Sequence, residues 1–463
     1  MTSEKIRYES DSMGKVALPE NAYWGAQAQR AAENFAVSAL RIPAQLLHAL
    51  AIVKAAAAAA NESLGILESE LSEAIQTAAG EIVLGKWNDH FPVDVFQTGS
   101  GTSWNMNINE VIANRANEIL GSEKGTRSPV HPNDHVNKGQ SSNDVIPTAI
   151  SISNRLETQR LIDSVGNLRE ALSLKSQEFS EILKLGRTHL QDAVPITLGQ
   201  EFSAYAEQMN KAENRLRSCF HNLEELALGG TAVGTGLNTH PDFAKRAITH
   251  ISKSTGVSFR AAANRFEALS TRDGQLELMG MTNTLAVGLM KIAQDLRLLS
   301  SGPRAALGEI GLPSLQPGSS IMPGKVNRVI PEMVIQAAAH IMGKHLSVTI
   351  ACQNAPLELN IMQPLIAYET LSAIDLLCNT LDVLNRKCVA GITADKERCR
   401  ALIDLSLAMV TPLALKIGYD NAAKLAYRAF KEKKTIRDVV LEEGILTEKE
   451  ADDVFDPGTM LGR

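Results

Sequence analysis

Leu198, Phe202, Tyr205, Met209, Leu216, Phe220 and Leu223 recur at steps of four, three, four, seven, four and three, and the series stops at Gly229-Gly230. That spacing places all seven on one helical face and predicts a helix of about 45 Å at 1.5 Å per residue. A second seam passes through Leu278, Met281, Leu285, Leu289, Ile292, Leu296 and Leu299 and ends at Gly302-Pro303. Three further helices are expected over roughly 145 to 185, 331 to 350 from Pro331, and 364 to 390 from Pro364, the last closing at Gly391. Proline in the first turn and glycine past the end are favoured helix chemistry. Five long helices with wide apolar faces predict a bundle that associates with copies of itself.

Residues 1 to 138 read as a separate helical region, in which the alanine run 55 to 60 reads as helix propensity and nothing more. Residues 139 to 392 read as the bundle. Beyond Thr393 the composition turns charged (DKERCR, FKEKKT, EEGILTEKEADD), with a GYD turn at 418 to 420, and predicts a small third helical domain over 393 to 463. Alternating β patterns are nearly absent.

The 463 residues carry 46 Lys+Arg against 52 Asp+Glu, a formal charge of -6, with no basic run to serve a nucleic acid or a membrane surface. An anionic substrate must therefore be met by local donors. The five cysteines are scattered without a C-x-x-C pair, which argues against a disulfide framework, structural zinc or an iron-sulfur cluster and fits a reducing cytoplasm. No metal and no cofactor is expected. The start, MTSEKIRYESDSMG, is polar and acidic, and no run of about twenty uninterrupted apolar residues follows, so neither a signal peptide nor a membrane span is expected.

Polar passages interrupt the helical pattern: QTGSGTSWNMNINE (97 to 110), HPNDHVNKGQSSND (131 to 144), GRTHLQDAVPITLGQE (186 to 201), GGTAVGTGLNTHP (229 to 241) and GSSIMPGKVNRVIPE (318 to 332). Clustered glycines let backbone N–H groups converge, and Ser, Thr and Asn add neutral donors, so such passages can wrap a carboxylate. None contains G-x-x-x-x-G-K-[ST], and GGTAVGTG follows a helix rather than a strand, which excludes a nucleotide-binding reading. Ordinary helix connections are also Gly/Ser/Asn-rich, yet they do not need a histidine, a lysine and repeated S-x-T or S-S-N patterns at their centres. Of the ten histidines, His48, His221, His250, His340 and His345 lie in helical stretches as packing or surface residues. His189, between Thr188 and Gln191 in a polar turn, is the candidate acid–base group, and His131 the candidate for a peripheral anion contact.

At GSSIMPGKVN the chain resembles the fumarase/aspartase superfamily, over nearly all its length. The resemblance implies an all-α, three-domain fold with a central five-helix bundle, a homotetramer with a twenty-helix core, and active sites each shared among three subunits. QTGSGTSWNMN, HPND-V-K-QSSND, GRTHLQDA, GGTAVGTGLNTHP and NRFEAL (264 to 269) resemble the class II, iron-independent fumarate hydratases of the tricarboxylic acid cycle. Aspartate ammonia-lyases, the alternative, usually carry GGAGTS and QSTND at the first two, although VIPE and LELNIMQP (357 to 364) lean their way. A non-catalytic relative on the same scaffold should have lost the catalytic positions, which are all present.

Carried over by this resemblance, Ser319 would take the carbon-bound proton, Lys325 and Asn327 would bind the substrate carboxylate, and Thr188 and His189 would act at the departing hydroxyl, with Glu332 orienting His189. Ser100, Thr102, Ser141, Ser142 and Asn143 would hold the remaining carboxylate oxygens. A second anion site at His131, Asn133 and Asp134 is weakened because SPVHPND lacks the Arg-Lys pair that some relatives place before it. Arg328 departs from the near-invariant family proline, releasing the φ constraint and the extended bias on Asn327.

Overall fold

The computed structural model describes residues 5–461, and its first element is a β-hairpin rather than a helix. β1 (Ile6–Asp11) and β2 (Gly14–Pro19) pair antiparallel from Ile6 opposite Pro19 to Asp11 opposite Gly14. The expectation of a wholly helical region to residue 138 is corrected here. The buried residue of β1 is Glu9, ion-paired with Arg7, so no apolar alternation marks the strand.

Along the chain follow α1 (Ala26–Asn34), α2 (Ala44–Ser63), α3 (Ser69–Val83), α4 (Thr102–Ile119) and α5 (Ser142–Glu178). A second hairpin comes next, β3 (Leu183–Thr188) and β4 (Gln191–Thr197), then α6 (Leu198–Ser218), α7 (Phe220–Leu223), α8 (Phe243–Thr255), α9 (Arg265–Ser270) and α10 (Asp273–Leu299). After a long loop come α11 (Val329–Gln353) and α12 (Gln363–Lys387). The chain finishes with α13 (Lys396–Asp404), α14 (Thr411–Ile417), α15 (Tyr419–Glu432), α16 (Ile436–Glu442) and α17 (Glu448–Val454). Leu198, Phe202, Tyr205, Met209, Leu216 and Leu223 are buried, as are Leu278, Leu285, Leu289, Ile292, Leu296 and Leu299, while Phe220 and Met281 are half-buried. The first seam is not one helix, however, because α6 ends at Ser218 and α7 carries Phe220–Leu223, which corrects the single 45 Å helix expected up to Gly229.

Two further expected helices have different ends. The helix over 145 to 185 stops at Glu178 because the next residues enter β3, whose alternation is broken by a register shift between Leu185 and Arg187. The helix expected from Pro331 begins two residues earlier, at Val329, and Glu332 lies in its first turn.

The chain divides into two compact units. The first gathers the chain up to Ile162 with Asn214–Thr284 and Ala339–Leu377. Its core centres on α2, which packs against α3 and α8. Ala56, Ala57, Ala58 and Ala60 are all buried there, so the alanine run is an interhelical contact surface and more than helix propensity. By length and composition α2 is apolar enough to cross a membrane, yet most of it is buried inside this core. Each of Leu46, Leu47 and Leu50, fully buried, contributes about 1.5–3 kcal/mol.

Glu110 of α4 reaches the N-terminus of α1, where its carboxylate accepts the amides of Gly25, Gln27 and Ala28 at 2.9, 2.9 and 3.0 Å. Burial raises its pKa to about 7, against the opposing pull of those three donors. A raised folded-state pKa means that the stability Glu110 contributes is full below the unfolded value, near 4.5, and is lost as pH rises through about 7. Melting temperature measured across that window should therefore fall with pH in the native protein, and should do so less steeply in Glu110→Gln. Identical slopes would remove Glu110 as the source.

The second unit gathers Asp163–Glu213, Leu285–Ala338 and the chain from Cys378. α5 and α6 approach closely at Gly199, where an added Cβ would lie 2.4 Å from the Ser176 carbonyl oxygen. The C-terminal helices form their own core of Ile403, Leu413, Leu425, Ile436, Val439 and Val440, and Leu185 of β3 is buried in it. Capping boxes at Thr435 with Asp438 and Thr447 with Glu450 start α16 and α17, and Gly418 at φ 82° turns α14 into α15.

Candidate active site

Each unit carries part of the predicted set. In the first, Gly101 takes the left-handed conformation at φ 73° as the N-cap of α4, and Ser100 Oγ lies 2.8 Å from Thr102 Oγ1 across it. Gly99 is held against the α11–α12 connection, donating no side chain but accepting Gln363 N at 3.0 Å through its carbonyl. The Ser141-Ser142-Asn143 turn starts α5. Ser141 Oγ accepts Asn143 N at 3.3 Å, Ser142 Oγ accepts Asn105 Nδ2 at 3.0 Å, and Asn143 Nδ2 donates to Ala232 O at 2.8 Å. Asp144, fully buried, accepts Ser141 N at 2.9 Å with one oxygen and the amides of Gly229 and Thr231 at 2.9 and 3.0 Å with the other. Three of the polar passages, 97 to 110, 131 to 144 and 229 to 241, are thereby tied into one array of neutral donors.

His131 lies in the same unit but spends its lone pair locally: Nδ1 accepts Asn133 N and Asp134 N, each at 3.2 Å, and lies 3.3 Å from the Asp134 carboxylate. Burial lowers its pKa. An anion there would compete with these contacts.

In the second unit, Thr188 and Gln191 pair across a two-residue turn whose central residues, His189 and Leu190, have φ 56° and 60°. Positive φ at both positions is the primed hairpin geometry usually built from Asn and Gly. Here a histidine and a leucine hold it, exposed at the tip. The base of the hairpin is fixed by buried charge. Arg187 Nη1 meets Glu309 Oε2 at 2.8 Å, and Lys184 Nζ lies 3.1 Å from Glu201 Oε2 and 3.6 Å from Glu309 Oε2. Burial raises the Glu201 pKa, with Lys184 the main opposing influence.

The loop before α11 is folded on itself: Gly318 N donates to Lys325 O at 2.9 Å and Asn327 Nδ2 to Gly318 O at 2.7 Å. Within it, Ser319 Oγ accepts Ile321 N at 3.2 Å and Met322 N at 2.9 Å. Two amides aimed at one hydroxyl oxygen favour its ionised form. Lys325 is exposed. Arg328 Nη1 donates to Ser314 Oγ at 2.9 Å, and Glu332 Oε1 lies 3.8 Å from Arg297 Nη2.

Sequence reasoning did not identify Lys54, Asn105, Asn137, Gln140 and Asp144 beneath the serine turn, nor Lys184, Glu201 and Glu309 beneath the hairpin. A lone lysine inside an alanine-rich helix and asparagines at 105, 107 and 109 were the available signals for the first group.

A family profile described as Lyase matches residues 14–343, and one described as Fumarase C C-terminus matches 409–462. The chain is 49% identical over 459 residues to the class II fumarate hydratase of Nitrosomonas europaea, covering 99% of each protein. It is 47% identical over 464 residues to the mitochondrial fumarate hydratase of Rattus norvegicus, covering 100% of this chain and 91% of that protein. Among solved structures, recombinant class II fumarase from Schistosoma mansoni superposes with a TM-score of 0.96 at 40% identity over 99% of both chains. A fumarate lyase:delta crystallin from Brucella melitensis, solved bound to cobalt, gives 0.96 at 44% identity over 99% of this chain and 100% of that one.

Proposed function

The chain belongs to the class II fumarate hydratase family, and on that premise we propose that it adds water reversibly to fumarate to give (S)-malate, in the cytoplasm and without a cofactor. The ammonia-lyase alternative is set aside, because the relatives matched over the full length are fumarate hydratases, and part of the aspartase-like LELNIMQP segment serves packing. Asn360 and Gln363 of that segment, for example, are buried.

In the dehydration direction the barrier is the charge that develops as a carboxylate next to the carbanion becomes an enediolate. Preorganised donors in a dry site lower it most, each contributing about 3 kcal/mol. The observation that carries the reading is Ser319, whose Oγ receives two backbone N–H groups and so is prepared to act as an alkoxide base. Lys325 and Asn327 bind the carboxylate beside it. Ser100, Thr102, Ser141, Ser142, Asn143 and Thr188 hold the other carboxylate oxygens and the leaving side by neutral hydrogen bonds. His189 handles the departing hydroxyl through a water. Within one chain Glu332 Oε1 lies 3.8 Å from Arg297 Nη2, and its pairing with His189 is assigned to different subunits of a homotetramer whose sites are each built by three subunits. Ile321, 84% exposed on the 318–332 loop, is apolar surface of the kind that closure over substrate covers.

The test is an assay with fumarate alone. Loss of its ultraviolet absorbance with stoichiometric malate and no need for ammonium is expected, whereas ammonium-dependent loss without malate would overturn the reading. A finer expectation concerns residue 328. Arg328→Pro should restore the extended bias on Asn327 and lower KM for malate, or raise kcat, by about two- to fivefold. Loss of activity in that variant would show that the arginine itself is used.

A further inference from the structure

Lys54 lies in the middle of α2, an apolar helix of the first unit, and is fully buried. Its Nζ donates to Asn137 Oδ1 and to Gln140 Oε1, both at 2.9 Å. Asn137 Oδ1 also accepts Asn105 Nδ2 and Asn109 Nδ2 at 3.2 and 3.3 Å, and its own Nδ2 donates to Gln140 O at 3.2 Å. Asn105 Nδ2 reaches Ser142 Oγ. The lysine thus heads a chain of hydrogen bonds that closes the backbone immediately before Ser141 and reaches Ser142 through two intermediaries, Asn137 and Asn105. On the other side of the same turn, Asp144 fixes Ser141 N and the Gly229 and Thr231 amides. The two buried charges favour each other's ionised forms. Burial nonetheless lowers the Lys54 pKa to about 7.

A buried cation in an apolar helix is costly, and a methionine would fill much the same space without that cost. The contribution of the lysine therefore lies in what it holds. We propose that Lys54 is a positioning residue for substrate binding: through Asn137 and Gln140 it sets the Ser141-Ser142-Asn143 turn and so controls affinity for the dicarboxylate without touching it. The proposal rests on the assignment of that turn to carboxylate binding made above.

Lys54→Met removes the donor, and Gln140→Leu removes one of its two acceptors, from a partly exposed position that the core can tolerate. Steady-state hydration of fumarate and competitive inhibition by succinate, a dicarboxylate that cannot react, separate binding from chemistry. In folded tetramer of each variant, KM and the succinate Ki should rise together by about tenfold or more, the loss expected for a hydrogen bond to a charged group, while kcat changes by less than about threefold. A merely structural role would lower the melting temperature and the active fraction, hence apparent kcat, with KM and Ki unmoved, and that pattern would overturn the proposal. If Lys54→Met does not fold, Gln140→Leu decides alone by the same two constants. Native protein that neither hydrates fumarate nor binds succinate would instead sink the functional reading on which this one stands.

Discussion

Ser319→Ala should slow fumarate hydration by about 10²- to 10⁴-fold, the usual contribution of a positioned acid–base group, while leaving KM nearly unchanged. The frame around Ser319 does not depend on its hydroxyl. The Gly318–Lys325 backbone bond and the Asn327 bond to Gly318 O close the loop by themselves, and Ser319 is only half-buried. Melting temperature and assembly should therefore match the native protein, and the variant should still bind succinate. Near-normal turnover would remove Ser319 from the proton transfer. A large drop in melting temperature would mean that the two amide bonds to its oxygen serve the loop rather than the chemistry.

Gly99→Ala should be as damaging by a different route. A Cβ at this position would lie 1.8 Å from the carbonyl oxygen of Ile361 and 2.6 Å from its carbonyl carbon. Those are backbone atoms, and no rotamer change can move them. Gly99 O also accepts Gln363 N at the first residue of α12, so separating the two segments breaks that bond as well. Either the 97 to 102 loop swings away, taking Ser100 and Thr102 with it, or the start of α12 shifts. Activity is expected to fall at least about a hundredfold, with a destabilisation of about 3 kcal/mol or more, in the range that steric conflict in a packed backbone produces. Soluble protein with native KM and stability would show that the two segments can part freely.

The long helices were legible because their apolar residues face one side at regular steps, and the burial of Leu285, Leu289, Ile292 and Leu296 follows that reading closely. The hairpins were not. β1 turns a carboxylate inward, and β3 breaks its alternation at Gly186, where an added Cβ would meet the Val194 carbonyl oxygen at 2.7 Å. Short strands with a polar inward face or a bulge carry no periodic signal. The polar passages that meet at Asn105, Ser142 and Asp144 were legible through composition, since Ser, Thr and Asn among glycines announce converging donors. The supporting layer was not, because Lys54, Asp144 and Glu309 each find their partners tens to hundreds of residues away, and a single sequence shows no such pairing.

The insertion of Leu185 among Ile403, Leu413 and Val440, together with the Arg187–Glu309 contact, makes the histidine-bearing hairpin and the C-terminal helices one cooperative block. Amides of β3 and of α13 to α16 should then exchange with solvent deuterium through a common opening, with matching protection. It follows that a truncation or lesion far down the tail would be felt as a loosened His189, the histidine proposed above for the departing hydroxyl, before the rest of the protein unfolds.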